Sequence, residues 1–156
     1  MEKPRVLYVC TYHGARGLIA EAFTKHLAPG KIEACSSYFE PGKITDLPIS
    51  VMKEVGLSLP THSVESVFDR YHKKEVFDYV VTLCHETAME QCPVFKTSVD
   101  ALYAKKAERI SWSIQDFKSL QGSEEEKKAG AIKIRDKIKS EVLSFLSRIG
   151  INTENA

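Results

Sequence analysis

The apolar run Val6-Leu7-Tyr8-Val9 stops at Cys10, and five residues separate that thiol from Arg16. Behind Arg16 the apolar residues change spacing, with Ile19, Ala20, Phe23 and Leu27 recurring as on one face of a helix. A short buried strand that feeds directly into a helix is the unit of a parallel sheet. The loop between them, Thr11-Tyr12-His13-Gly14-Ala15, is short, with small residues at its end. Backbone N–H groups of such a loop and of the first helical turn converge on an anion. The same positive end lowers the pKa of an adjacent thiol. A planar guanidinium takes two oxygens of a tetrahedral oxyanion at once. Cys10 is therefore the candidate nucleophile. Thr11, Tyr12, His13, Gly14, Ala15, Arg16 and Gly17 are the candidate anion cradle.

The alternation continues along the chain. Residues 5–10 read as a strand and 17–27 as a helix closed by Ala28-Pro29-Gly30. Residues 31–36 form a weaker strand. Residues 46–56 have a cap, an early Pro and a closing Gly, the marks of a helix. Residues 64–75 read as one or two short helical turns, and 77–84 as a buried strand rich in β-branched and aromatic residues. A polar turn over 85–91 leads to Cys92-Pro93, and 108–111 form a last strand. Residues 123–149 carry one stripe (Ala131, Ile138, Val142, Phe145, Ile149), with Ile134 and Leu146 beside it, and predict the longest helix. The expected fold is α/β: a doubly wound, four-stranded parallel sheet with helices on both faces. Ligands of such sheets bind at the strand C-termini. Cys10 and Cys84 both end buried strands and are expected at the same rim.

The 156 residues suit one domain over 1–156, with enough chain to bury a core. A net charge of +1 gives no field for nucleic acid. No apolar run spans a membrane and no signal-peptide pattern opens the chain, so a cytoplasmic location is expected. Four cysteines (Cys10, Cys35, Cys84, Cys92) in a chain of this size do not read as a disulfide scaffold. Cys35 reads as a core thiol. There is no Cys-x2-Cys pair, and the five histidines show no ligand spacing, so neither a metal nor a cofactor is expected.

The Cys-x5-Arg loop resembles that of the low-molecular-weight protein tyrosine phosphatases and of the thioredoxin-coupled arsenate reductases built on the same fold. The likeness runs along nearly the whole chain. It includes Ala20-Glu21, Ser36, Val51-Met52-Lys53-Glu54-Val55-Gly56, and Trp112 ahead of Asp116. Thr82-Leu83-Cys84 followed by Cys92-Pro93 points, within that fold, to the reductases. The resemblance implies an oxyanion substrate, arsenate or phosphate, held by Arg16 and the loop. Cys10 would attack arsenic while Asp116 protonates the departing oxygen. Cys84 would then displace Cys10, and Cys92 would displace Cys84 and present the final disulfide to thioredoxin, a chemistry of arsenical resistance. The alternative is a tyrosine phosphatase working through a Cys10 phospho-enzyme, with Cys84 and Cys92 as passengers. A third reading is an anion-binding protein without catalysis. The plainer role for Asp116 is a helix N-cap or a solvent-facing acid.

The chain departs from the family pattern at Tyr12-His13, where Gly-Asn is usual, at Gly17, where a hydroxyl residue is usual, and at Phe117, where Pro is usual. A missing hydroxyl at position 17 removes a donor from the Cys10 thiolate and is expected to raise its pKa. Some reductases of the family hold potassium with groups matching Glu21, Ser36 and position 13. With His13 there, no cation is expected.

Overall fold

Val6, Leu7, Tyr8 and Val9 are wholly buried because their strand, β1 (Arg5–Tyr12), has a neighbour on each edge and a core on each face. The computed structural model of the chain describes residues 3–12, 15–59, 64–85, 92–103 and 107–154. After β1 come α1 (Arg16–Leu27), β2 (Glu33–Glu40), α2 (Asp46–Lys53), α3 (Val67–His72), β3 (Tyr79–Cys84), α4 (Cys92–Tyr103), β4 (Glu108–Ser113) and α5 (Glu124–Arg148). The strands form one sheet in the order β2-β1-β3-β4, and every neighbouring pair is parallel. The architecture is the four-stranded α/β sheet that the sequence implies.

The strand pleat divides the core. Val6, Tyr8, Val81, Leu83 and Trp112 pack with residues of α1, α2 and α5. Leu7, Val9, Val80 and Cys84 pack with Val67 of α3 and with Phe95 and Val99 of α4. The chain thus leaves β1 towards one face and β3 towards the other. The crevice between the C-terminal ends of these adjacent strands is the topological switch point, where doubly wound sheets place their ligands.

Two polar details fix the elements around that crevice. Tyr8 is buried under α1, and its hydroxyl meets Thr24 Oγ1 at 2.7 Å. Thr24 spends its own proton on Ala20 O, so Tyr8 is the donor. Burial raises the Tyr8 phenol well above its ordinary pKa and keeps it protonated. On β2, Ser36 Oγ donates to Glu21 Oε1 at 2.8 Å, and Arg70 Nε donates to Ser37 Oγ at 2.6 Å. These bonds let two serines be buried, and β2 runs to Glu40 rather than ending at residue 36. The long helix α5 opens with a capping box between Ser123 and Glu126. No described helix is long and apolar enough to cross a membrane.

Helix α4 was not expected from the sequence, which suggested only the entry at Cys92-Pro93. The short turns expected over 64–75 are a single short helix, α3, capped by Ser66 Oγ on Asp69 N. The helix expected over 46–56 is α2, followed by a turn that closes at Gly56 with φ of +77°.

Candidate active site

Cys10 lies near the C-terminal end of β1, paired in register with Tyr38 of β2 and Leu83 of β3. It is reduced and only 2% exposed. The first turn of α1 begins six residues later. Among the described residues no side chain caps that helix, and no acid sits in its first turn. One of its N-terminal N–H groups, that of Gly17, points at Cys10 Sγ at 2.9 Å. The thiol thus stands where the dipole of α1 and an amide hydrogen both favour its anion.

Arg16 is 1% exposed, an unusual place for a guanidinium. Its Nη1 donates to Ile114 O at 2.9 Å. The backbone N–H of Ile114 in turn donates to Cys84 O at 3.2 Å. Ile114, wholly buried just beyond β4, therefore ties the arginine of the first loop to the end of β3. Sequence reasoning missed this clamp, because a backbone carbonyl carries no signature of its own. It also fixes the start of the loop that bears Asp116. Asp116 is half-buried and N-caps a short 3-10 turn (Phe117–Ser119), with Oδ1 accepting from Lys118 N at 3.4 Å, a long contact. Ser119 Oγ braces the Asp116 carbonyl at 2.7 Å.

The two strand-end cysteines share a rim but not a face. Cys10 pairs with Leu83, so Cys84 is one residue farther along β3 and its side chain points to the opposite side of the sheet. A strand spacing of ~4.8 Å and a rise of ~3.3 Å put their Cα atoms roughly 6 Å apart, inside the span a disulfide bridges. The backbones suit a bond between them, and the side-chain directions do not. Cys84 is itself disulfide-bonded. Cys35 is reduced and half-buried, and burial pushes its thiol pKa up.

Thr11 follows Cys10 and is buried on the opposite sheet face, and no described residue is hydrogen-bonded to its hydroxyl. Continuing the β1–β3 register by one residue places Thr11 beside Cys84. Ala15 is the N-cap residue of α1. Cys92 opens α4, while its side chain, the side chain of Tyr12, and residues His13 and Gly14 lie outside what the structure describes. Glu21 Oε1 accepts from Ser36 and its Oε2 pairs with Lys25 Nζ at 2.7 Å. Among the described residues no three His, Cys, Asp or Glu side chains gather as a metal site.

A reduced thiol under a helix N-terminus, a buried arginine clamped beside it and an acid on the adjoining loop can bind an oxyanion, attack its centre and protonate a leaving oxygen. The family described as low molecular weight phosphotyrosine protein phosphatase matches residues 5–155. An arsenate reductase of Halalkalibacterium halodurans is 26% identical over 145 residues, covering 93% of this chain and 96% of that protein. An arsenate reductase of Bacillus subtilis is 28% identical over the same coverage. Among solved structures, an arsenate reductase in an oxidized state superposes with a TM-score of 0.72 at 21% identity, over 94% of this chain and 98% of the other. A thioredoxin-dependent arsenate reductase of Corynebacterium glutamicum gives a TM-score of 0.62 at 20% identity, over 94% of this chain and 62% of the other. These structural likenesses establish the fold.

Proposed function

The chain belongs to the low molecular weight phosphotyrosine protein phosphatase family, and from that premise we propose that it reduces arsenate to arsenite through three cysteines, regenerated by thioredoxin. The observation that carries the reading is the second thiol centre: Cys84, one register step from Cys10, is disulfide-bonded while Cys10 is reduced. A hydrolase needs no oxidisable sulfur there. The relay ends in this state, with the nucleophile restored and Cys84 oxidised. The curated relatives that match across the chain are arsenate reductases.

The geometry supports the following steps. Arsenate binds between the Arg16 guanidinium and the N–H groups that open α1. The Cys10 thiolate attacks arsenic, and an oxygen leaves as water with a proton from Asp116. The Cys84 thiolate then attacks Cys10 Sγ. The sulfur–sulfur bond forms, the sulfur–arsenic bond breaks, and its electron pair reduces As(V) to As(III). Cys84 must first swing across the end of β3. As the last residue of that strand it is held, just beyond the end of β4, by its carbonyl on Ile114 N at 3.2 Å, a bond worth about 1 kcal/mol net. Cys92 next attacks Cys84 and releases Cys10 as thiolate. A thioredoxin dithiol reduces the remaining Cys84–Cys92 disulfide. The same first step cleaves aryl phosphates slowly, with water finishing the turnover. A cytoplasmic location, where thiols are kept reduced, fits this cycle.

The test supplies arsenate with reduced thioredoxin as the sole electron donor and counts arsenite. The wild-type chain is expected to turn over repeatedly, and Cys84→Ser to form none. If Cys84→Ser leaves arsenite formation intact, or if the wild type cleaves an aryl phosphate but never reduces arsenate, the relay is wrong and the phosphatase reading stands in its place.

A further inference from the structure

We propose that oxidation at Cys84 leaves the oxyanion site working, and that the oxidised chain hydrolyses aryl phosphates through Cys10. The inference deepens the reading of Cys10 as the nucleophile and rests on it. One molecule carries the argument: Cys84 is disulfide-bonded, and Cys10 on the neighbouring strand is a free thiol. In that same state Arg16 Nη1 donates to Ile114 O at 2.9 Å.

The sheet keeps the two sulfur centres apart. Cys10 turns to the face covered by α1, as Ser36 does through its bond to Glu21. Cys84 turns to the other face, among Leu7, Val9 and Phe95. A disulfide on that side lies behind the sheet as seen from the cradle. Any disturbance it causes must pass through β3, and β3 is in register to its last residue. Leu83 pairs with Cys10 and with Trp112, and Cys84 pairs with Ser113. The Cys84 carbonyl accepts from Ile114 N at 3.2 Å. The residue that anchors Arg16 is therefore in place with Cys84 oxidised. The redox state of Cys84 decides what becomes of a Cys10 adduct, not whether one forms.

On the oxidised chain an aryl phosphate is cleaved by two displacements. The Cys10 thiolate attacks phosphorus, the bond from phosphorus to the aryl oxygen breaks, and Asp116 gives that oxygen its proton. Water then attacks phosphorus and passes a proton to Asp116. The sulfur–phosphorus bond breaks, and its electron pair returns to Cys10. No thiol is consumed and no electron leaves the protein. Arsenate forms the corresponding adduct, but with Cys84 already bonded only water can resolve it, and As(V) is returned unchanged. Oxidation thus turns arsenate from a substrate into a competitor.

The experiment oxidises the full chain with oxidised glutathione in the presence of inorganic phosphate. Peptide mapping is expected to find a Cys84–Cys92 disulfide and a Cys10 that iodoacetamide alkylates. Without reductant, the oxidised chain is expected to hydrolyse p-nitrophenyl phosphate with kcat/KM within about threefold of the reduced chain's, and Cys10→Ser to have no activity. Arsenate is expected to inhibit this hydrolysis competitively, with no arsenite formed. Calorimetric titration of inorganic phosphate gives a second reading, with the Kd values of the two states expected within about threefold. A larger fall in either quantity on oxidation, no hydrolysis by the oxidised chain, Cys10 found in a disulfide, or arsenite from the oxidised chain overturns the proposal. A chain that hydrolyses in both states and never reduces arsenate supports it and removes the reductase reading alone. A chain that reduces arsenate with thioredoxin but is silent when oxidised removes this proposal alone.

Discussion

Replacing Arg16 by Lys keeps the charge and removes the fork. The arginine side chain is 1% exposed, and Nη1 already serves Ile114 O at 2.9 Å. A guanidinium can hold that carbonyl with one nitrogen and an oxyanion with its others in the same plane, whereas an ammonium is a single point. If the substituted ammonium turns to the anion, one charge-assisted hydrogen bond is lost, about 1.5–3 kcal/mol, which is roughly a 10- to 150-fold weaker complex. The Ile114 carbonyl is then left buried with its acceptor unmet, about 1–3 kcal/mol of stability, or about 2–10 °C in melting temperature. Calorimetric titration of arsenate into Cys10→Ser, with and without Arg16→Lys, isolates binding from chemistry, and a thermal melt reads the clamp. An Arg16→Lys affinity within about threefold of the parent, well short of the loss of one charge-assisted bond, would mean that charge alone holds the anion. An unchanged melt would remove the clamp from the account.

Asp116→Asn tests an acid against a cap. Asn caps as well as Asp, so the melt should not move while arsenate reduction falls about 10²- to 10⁴-fold; a change in the melt with activity preserved makes Asp116 structural. Tyr103 is buried with a hydroxyl that bonds to no described residue, and burial raises its pKa to about 12. Because the folded state holds this proton more tightly than the unfolded chain, the stability it contributes is complete below pH ~10 and is lost as pH rises towards 12. Tyr103→Phe should flatten the alkaline limb of denaturant unfolding and gain about 1 kcal/mol at neutral pH, since an unmet buried hydroxyl is removed. A variant less stable at neutral pH would show that the hydroxyl has a partner.

Much of this arrangement could be read from the residues because local and global signals agree. The apolar runs that became β1 and β3 are the buried central strands, and the stripe from Ala131 to Leu146 is the buried side of α5. The signal failed where burial is polar. Ser36 and Ser37 look like the end of a strand, yet hydrogen bonds to Glu21 and from Arg70 carry β2 onward. Helix α4 was hidden by Pro93 at its start and by a mixture of β-branched and hydroxyl residues, although Phe95 and Val99 recur at helical spacing. At the site, the spacing of Cys10 and Arg16 pointed to an anion cradle, and the structure puts Cys10 near the end of β1 and Arg16 at the start of α1. The opposition of Cys10 and Cys84 across the sheet could not be announced, since it depends on pairing Cys10 with Leu83 rather than with its neighbour. The Arg16–Ile114 bond is equally invisible, because it joins a side chain to a main-chain oxygen 98 residues away.

The central claim is that one sulfur attacks arsenic and a second, from across the sheet, takes the bond. Reduced Cys92→Ser protein given one equivalent of arsenate, without thioredoxin, stops the relay at that point. Peptide mapping should find a Cys10–Cys84 disulfide, with one arsenite released per chain. Arsenate left unconsumed, or arsenite formed while Cys10 remains a thiol, contradicts the account.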